Sequence, residues 1–369
     1  MHQLGISIYP EHSTWEQNVR YMEKAASLGF TRIFTCFLSV KESKEQLMET
    51  FYRFVQKAHE LGFEVAVDTA PQVFEQLGAT PEDLSIFHDI GFDIVRLDWP
   101  FGDRQDILMT RNPYGIQIEF NGSSDIQLQS LIAHGADPKN MTVCHNFYPQ
   151  TYSGLSYSVF SRFNQNWNAL GLSTAAFVSS QADHTFGPWL VYDGLPTLEM
   201  HRRLPIDVQA RHLIAMESID DILIGNAFAS DTELEQLSQI DFSKTTVSIN
   251  VANDIQDIEK QILFNFSHTG RNDASEYYIR SSWPRNAYGH HRIRPRKMEY
   301  GSFRRGDVVI VNDNLERYRG ELEVILQPIP NDGHHNLVGR IPSNELIILD
   351  EMEKRPDHVF GFIPAKRTD

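Results

Sequence analysis

Over the first 240 residues, short apolar runs alternate with longer amphipathic stretches. The runs are LGISIY (4–9), TRIFTCFL (31–38), FEVAVDT (63–69), FDIVRLD (92–98), GIQIEF (115–120), MTVCHNF (141–147), STAAFVS (173–179) and DDILIG (220–225). Short, mostly apolar runs of this length suit strands in a barrel or parallel sheet. The stretches between them switch to the helical period. Trp15, Val19, Met22 and Ala26 make one apolar stripe; Leu47, Phe51, Phe54, Ala58 and Leu61 make another. A recurring phrase separates the two patterns: SLGF ending at Phe30, ELGF at Phe63, DIGF at Phe92 and ALGL at Leu172, with AHGA at 133–136 a looser copy. Glycine accepts the left-handed conformation that closes a helix, so each copy marks a helix stopping before a strand. Start signals fit the same scheme. Thr14 with Gln17 resembles a capping box, Ser43 opens the second helix, Pro81 after Thr80 takes a first helical position, and Asp231 caps the last short helix.

The spacing of about 25–30 residues matches one strand–helix unit. Eight such units predict an α/β fold, a (β/α)8 TIM barrel over residues 1–240. An open doubly wound sheet is the alternative, but it needs fewer strands and usually a Gly-rich phosphate turn, and the chain has no GxGxxG or Walker-type loop. After about residue 245 the pattern changes. TTVSINVA, GDVVIVN, GELEVILQPI, NLVGRI and NELIILD read as short strands with little helix, separated by turn signals in RRGD, NDG and IPSN. They predict a second, smaller β-rich domain over residues 245–369.

Composition adds exclusions. A net charge of −16 argues against nucleic acid or an anionic membrane as partner, since both need a positive surface. No run approaches the length of a transmembrane helix, and the N-terminus lacks the basic flank and long apolar run of a signal peptide. A cytoplasmic protein is expected. Cys36 and Cys144 lie inside apolar runs and read as buried, reduced thiols. The pairs His290–His291 and His334–His335 lack Cys or carboxylate partners at ligand spacing, so no metal and no cofactor are expected. The basic run Arg292, Arg294, Arg296 and Lys297 reads as a solvated face.

In a TIM barrel the chemistry sits at the C-terminal ends of the strands. That rule selects Tyr9, Asp68, Arg96 with Asp98, Glu119 with Asn121 and Ser123, His145 with Asn146 and Tyr148, and Asn226. Arg96 and Asp98 share a strand face, as do Glu119 and Asn121. The long segment after the seventh strand, GPWLVYDGLPTLEMHRR, adds Gly187, Glu199, Arg202 and Arg203; loops of this length usually serve function. For Glu199 and Arg203 the plain alternative is an i,i+4 surface pair. Carboxylates around one mouth suit general acid/base work. Glycoside hydrolysis needs two, one protonated and one ionised, and Asp68, Asp98 and Glu119 are the candidates. No Ser-His-Asp signature, HExxH or DxDxDG loop is present.

The stretches LGISIYPE, VDTAP, RLDWPF, FNGSS, CHNFYPQTYSGLS, GPWLVYDGLPTLEMHR and DDILIGN, followed by RRGDVVIVND and RYRGELEV, occur in that order. Together they resemble the bacterial family that includes the 6-phospho-N-acetylmuramidases of peptidoglycan recycling, over nearly the whole chain. The resemblance implies a TIM barrel followed by a cyclophilin-like β-barrel, and hydrolysis of a disaccharide bearing 6-phosphorylated N-acetylmuramic acid. It places Asp at Asp68 and Asp98, Asn and Ser at Asn121 and Ser123, the His-Asn-Phe-Tyr-Pro run at residues 145–149, and Glu at Glu199. Relatives often carry Arg where Gln150 stands and Asp where Asn226 stands, and Glu119 is not a fixed feature.

These readings converge on a cytoplasmic glycosidase. Asp98 and Asp68 would be the acid/base or nucleophile pair, with Glu119 in reserve. Tyr9, Arg96, Asn121, Ser123, His145, Asn146, Tyr148, Gly187, Glu199, Arg202 and Asn226 would line the sugar site. The expected partner is a small phosphorylated disaccharide, and the tail would complete the site or build a homodimer interface. Two alternatives remain at this level: another phosphosugar enzyme on a TIM barrel, of isomerase type, and a non-catalytic sugar-binding protein. A Schiff-base aldolase would want a Lys at a strand end, and the eight runs offer none.

Overall fold

The structure, a computed structural model, describes residues 2–38, 44–189, 191, 193–297 and 301–365. The chain divides into two compact units, Met1–Leu213 with Glu217–Ile240, and Ile214–Met216 with Asp241–Asp369.

Among the described residues, the first unit is a closed barrel of eight parallel strands in sequence order. They are β1 (Gln3–Ser7), β2 (Arg32–Cys36), β3 (Glu64–Thr69), β4 (Ile94–Leu97), β5 (Gln117–Asn121), β6 (Met141–Cys144), β7 (Ser173–Val178) and β8 (Asp221–Ile224). Each falls inside an apolar run of the sequence or overlaps all but its ends. The intervening helices are α1 (Trp15–Ser27), α2 (Lys44–Glu60), α3 (Pro71–Leu77), α4 (Ser85–Ile90), α5 (Asp103–Met109), α6 (Leu128–Ala133), α7 (Tyr157–Ala169) and α8 (Ile206–Met216), with α9 (Asp231–Ser238) after β8. The Gly punctuation is realised: Gly29, Gly62, Gly91, Gly135 and Gly171 all have positive φ. Thr14 and Gln17 form the expected capping box.

Register explains where polar groups meet. Cys36 pairs with Asp68, Asp68 with Arg96, Arg96 with Glu119, Glu119 with Thr142, and Thr142 with Ser173. This line begins at the last residue of β2 and ends at the first residue of β7. Barrel closure demands such a stagger. Residues in register are therefore not at one depth: Asp68 lies near the mouth and Glu119 lower. The interior above the lower layer is packed by Tyr9, Phe34, Cys36, Cys144, Phe177 and Leu223, with Phe147 against them. Gly5 is required there, because a Cβ would stand 2.3 Å from Leu223 Cδ2 and 2.9 Å from the Arg32 carbonyl.

Two helix starts differ from expectation, and a third is not described. Thr80 and Pro81 do not open a helix; Thr80 and Asp83 exchange backbone hydrogen bonds of 3.2 and 3.0 Å in a tight turn, and α4 begins at Ser85. The last cap is Ser230, whose box with Glu233 makes Asp231 the first helical residue. Ser43 lies outside the described residues.

The second unit contains β9 (Thr245–Val251), β10 (His268–Thr269), β11 (Tyr278–Ser281), β12 (Ser302–Phe303), β13 (Asp307–Val311), β14 (Leu322–Ile325), β15 (Ile329–Pro330), β16 (His335–Arg340) and β17 (Val359–Pro364). Seven form one sheet in the order β10-β17-β9-β16-β13-β14-β11, and β12 pairs with β15. The sheet curls nearly shut: His268 Nδ1 of β10 lies 3.0 Å from Ser281 Oγ of β11, joining the two edges. Helices α10 (Asp257–Phe264), α11 (Trp283–Tyr288) and α12 (Leu346–Lys354) belong to it. NELIILD is thus not a strand. Its apolar positions continue as Ile348, Leu349 and Met352, a helical period visible only past Asp350. Arg296 is not a solvated cation either, for it pairs with Asp254 and the buried Glu259.

Candidate functional site

Arg96, on β4, is buried and organises the mouth. Its guanidinium donates to Asp68 Oδ1 and to Asn146 Oδ1, and reaches the Cys144 carbonyl at 3.4 Å. Its Nη1 also stands 3.5 Å from Asp98 Oδ1. One cation therefore holds two carboxylates together. Their surroundings differ. Asp68 is 4% exposed, and burial pushes its carboxyl up to about 6 despite the opposing pull of Arg96. The Asp98 side chain is 24% exposed and is oriented by Asn121, whose Nδ2 lies 3.2 Å from the Asp98 carbonyl and 3.4 Å from Oδ1.

Behind this face runs a neutral chain. Ser123 Oγ accepts from the Asn146 backbone N–H at 2.8 Å and lies 3.2 Å from His145 Nδ1; His145 Nε2 lies 2.8 Å from Asn164 Oδ1. His145 is fully buried, and burial pulls its imidazole down to about 4. A neutral ring with its proton on Nε2 satisfies both contacts. Phe147 turns inward onto Phe34 and Phe177. Tyr148 is half-buried beside Ser123, and burial raises its hydroxyl.

Other sequence-selected residues lie elsewhere. Glu119 is 0% exposed and receives a hydrogen bond from Arg32, which also donates to Asp221 Oδ2 at 2.7 Å. This trio is lower in the barrel, and the structure does not bring Glu119 to the mouth. Tyr9 is buried, its hydroxyl donating to the Gly225 carbonyl at 2.6 Å. Asn226 uses both ends of its amide on the segment after β7: Nδ2 donates to the Ser180 carbonyl and Thr185 Oγ1, and Oδ1 accepts from Ser180 N and Ser179 Oγ.

Glu199 does not pair with Arg203 at i,i+4. It sits in a 3-10 turn, Glu199–His201, whose three-residue period brings Arg202 alongside instead. Arg202 Nε and Nη2 grip Glu199 Oε1 and Oε2 at 2.7 and 2.6 Å, and its remaining N–H groups reach the carbonyls of Tyr148, Gln150, Asp193 and Gly194. The carboxylate also accepts from Tyr152 N and Gly154 N, both at 2.8 Å. Arg202 and these N–H groups pull Glu199 down to about 2. A Cβ at Gly154 would meet Glu199 N at 2.7 Å, so only Gly fits. Tyr152 is held at φ 70°, a left-handed conformation costing about 1–2 kcal/mol in a residue with a Cβ.

The long segment after β7 borders an open cleft of ≈ 820 Å³. Its lining includes His12, Thr151, His184, Gly187, Trp189 and Arg203. Trp189 stands edge-on to Phe147 at 6.3 Å, which ties this cleft to the strand-six segment. Arg203 is exposed and makes no ion pair among the described residues. Sequence reasoning missed Asn164, which only folding brings to His145, and the exposed Trp99, Tyr152 and Trp189. An aromatic after a strand was the available signal for Trp99, which follows Asp98 directly.

Two models of 6-phospho-N-acetylmuramidase match the chain, the N-terminal one over residues 4–239 and the C-terminal one over residues 245–362. The chain is 39% identical to an uncharacterized Bacillus cereus protein of known crystal structure, covering 98% of this chain and 99% of that one with a TM-score of 0.89. A conserved Enterococcus faecalis protein of unknown function is 25% identical, with 98% and 96% covered and a TM-score of 0.70. No curated protein matches.

Proposed function

The chain belongs to the 6-phospho-N-acetylmuramidase family, and from that premise we propose that it hydrolyses a disaccharide carrying 6-phosphorylated N-acetylmuramic acid, in the cytoplasm, as a step of peptidoglycan recycling. The observation that carries this reading is the pair of carboxylates on Arg96, one buried with raised proton affinity and one open to the mouth. Glycoside hydrolysis asks for that inequality. Asp68 supplies the proton taken by the departing oxygen. Asp98 faces the positive charge that grows at the anomeric carbon, and water delivers the hydroxyl that completes the products. Both carboxylates contact one guanidinium nitrogen, and a close pair of this kind favours a retaining course.

Asn121, Asn146 and Tyr148 present amide and hydroxyl groups suited to sugar hydroxyls and an N-acetyl group. The neutral chain Ser123–His145–Asn164 fixes Asn146 without adding charge. In TIM barrels phosphate is commonly held by the segments after strands seven and eight. Here the segment after strand seven lines the open cleft, and Arg203 is the cation available to an anion there. The test is incubation of purified protein with phosphorylated and unphosphorylated muramyl disaccharides, followed by mass analysis. Release of 6-phosphorylated N-acetylmuramic acid from the phosphorylated substrate supports the reading; intact substrate after prolonged incubation ends it.

A further inference from the structure

Tyr152 presents a contradiction. It is 86% exposed, so its ring contributes almost nothing to packing. It also occupies the third position of a turn closed by Ser153 N to the Gln150 carbonyl at 3.1 Å, with φ 70°. Turns of this kind take Gly or Asn at that position because only they adopt positive φ without cost. A tyrosine here harms the local backbone and gains no burial in return. Strain kept at such a place points to function.

The neighbourhood is built to hold it. Glu199 accepts the Tyr152 N–H, Arg202 locks Glu199 from behind, and Arg202 also caps the Gln150 carbonyl. The flanks are stitched down by Tyr148 N to the Pro196 carbonyl at 3.1 Å and Leu155 N to the Thr197 carbonyl at 2.9 Å. Thr151, the preceding residue, lines the open cleft together with Trp189. Tyr152 thus follows a cleft-lining residue on a fixed backbone, with its side chain in solvent.

We propose that Tyr152 is a substrate-binding residue whose ring stacks on the apolar face of a pyranose of the disaccharide, and that Glu199 and Arg202 are positioning residues for that ring rather than sugar ligands. A pyranose presents C–H groups on one face and hydroxyls at its edge, which an exposed, rigid aromatic plane matches at low entropic cost. The inference rests on the glycosidase reading given above.

The test is a set of four proteins: wild type, Tyr152→Gly, Glu199→Gln, and both changes together. Glycine suits the left-handed position, so Tyr152→Gly keeps or raises Tm. It raises KM for the phosphorylated disaccharide on the order of tenfold, the scale of one aromatic contact, with a smaller change in kcat. Tyr152→Phe restores KM. Glu199→Gln alone raises KM similarly, but adds nothing to KM when residue 152 is already Gly, because a positioning residue has nothing left to position. A Tyr152→Gly KM within twofold of wild type, beside normal wild-type turnover, overturns this inference alone. A KM in the double variant far above that of Tyr152→Gly makes Glu199 a direct ligand and overturns the positioning role. Wild-type protein that neither cleaves nor binds the disaccharides removes the reading of the site and this inference with it.

Discussion

Two buried arginines on the barrel strands, Arg32 and Arg96, each hold two carboxylates, and they differ by depth. Arg32 begins β2 and holds Glu119 and Asp221, with no member open to the mouth. Arg96 lies toward the end of β4 and holds Asp68 and Asp98, the latter partly exposed. The lower trio sets two anions against one cation in a closed space, and one Glu119 oxygen lacks a partner among the described residues. Such groups fix how strands meet and contribute little net stability, although removing one partner is costly. The upper trio has the same chemistry one layer nearer solvent, and that step makes its protons exchangeable with a substrate. Charge composition does not separate a structural cluster from a reactive one; access does.

The largest effect that sharpens the contrast is Asp98→Asn. It should cut kcat roughly a thousandfold, the range of a lost acid/base or charge-stabilising group, with Tm unchanged. Near-normal turnover would make the upper trio structural as well. Next comes Glu119→Gln, which gives Arg32 a neutral acceptor in place of a charged one while Asp221 still pairs the guanidinium. Urea titration should show a loss of about 1–3 kcal/mol, the range of a weakened buried charged hydrogen bond, while kcat per folded molecule stays near wild type. A selective loss of kcat would erase the distinction between the layers.

A third test is pH. Asp68 binds its proton more tightly in the folded protein, at about 6, than in the unfolded chain, at about 4. Its stabilising contribution is therefore full below pH about 4 and is lost as pH rises through about 6. Relative to Asp68→Asn, wild-type unfolding free energy should decline across that window. The kcat/KM profile should likewise fall above pH about 6, where the donor is deprotonated. A flat profile from pH 5 to 8 would remove Asp68 as the proton source. The smallest effect is Arg203→Ala, a KM increase of about two- to fivefold on phosphorylated substrate, the worth of one exposed ion pair. An equal increase on the unphosphorylated sugar would show that Arg203 does not read the phosphate.

Much of this was legible from residues alone. The apolar runs and the repeated glycines located the barrel strands, because burial on both faces and positive φ each leave a direct mark on sequence. The mouth positions of Asp68, Arg96 and Asp98 followed from the strand-end rule. Depth was not legible. Glu119 looked equivalent to Arg96 by position along its strand, yet the stagger of a closed barrel lowers it, and stagger is a property of eight strands together. Arg202 rather than Arg203 pairs with Glu199 because the segment winds with a three-residue period, which the expected i,i+4 spacing did not anticipate. In the tail, the helical stretch Leu346–Lys354 opens on four apolar residues, and short apolar runs do not distinguish strand from helix.

The His268–Ser281 bridge carries one more consequence. A sheet normally leaves two raw margins, each a row of unpaired amides able to recruit a stranger's backbone. In the seven-stranded sheet of the second unit those margins belong to β10 and β11, two and four residues long, and they are turned toward one another. Little template remains for another chain to extend. A second copy of this protein docking on this unit would have to match it side chain to side chain, so such an association would be selective and its loss would leave the sheet intact.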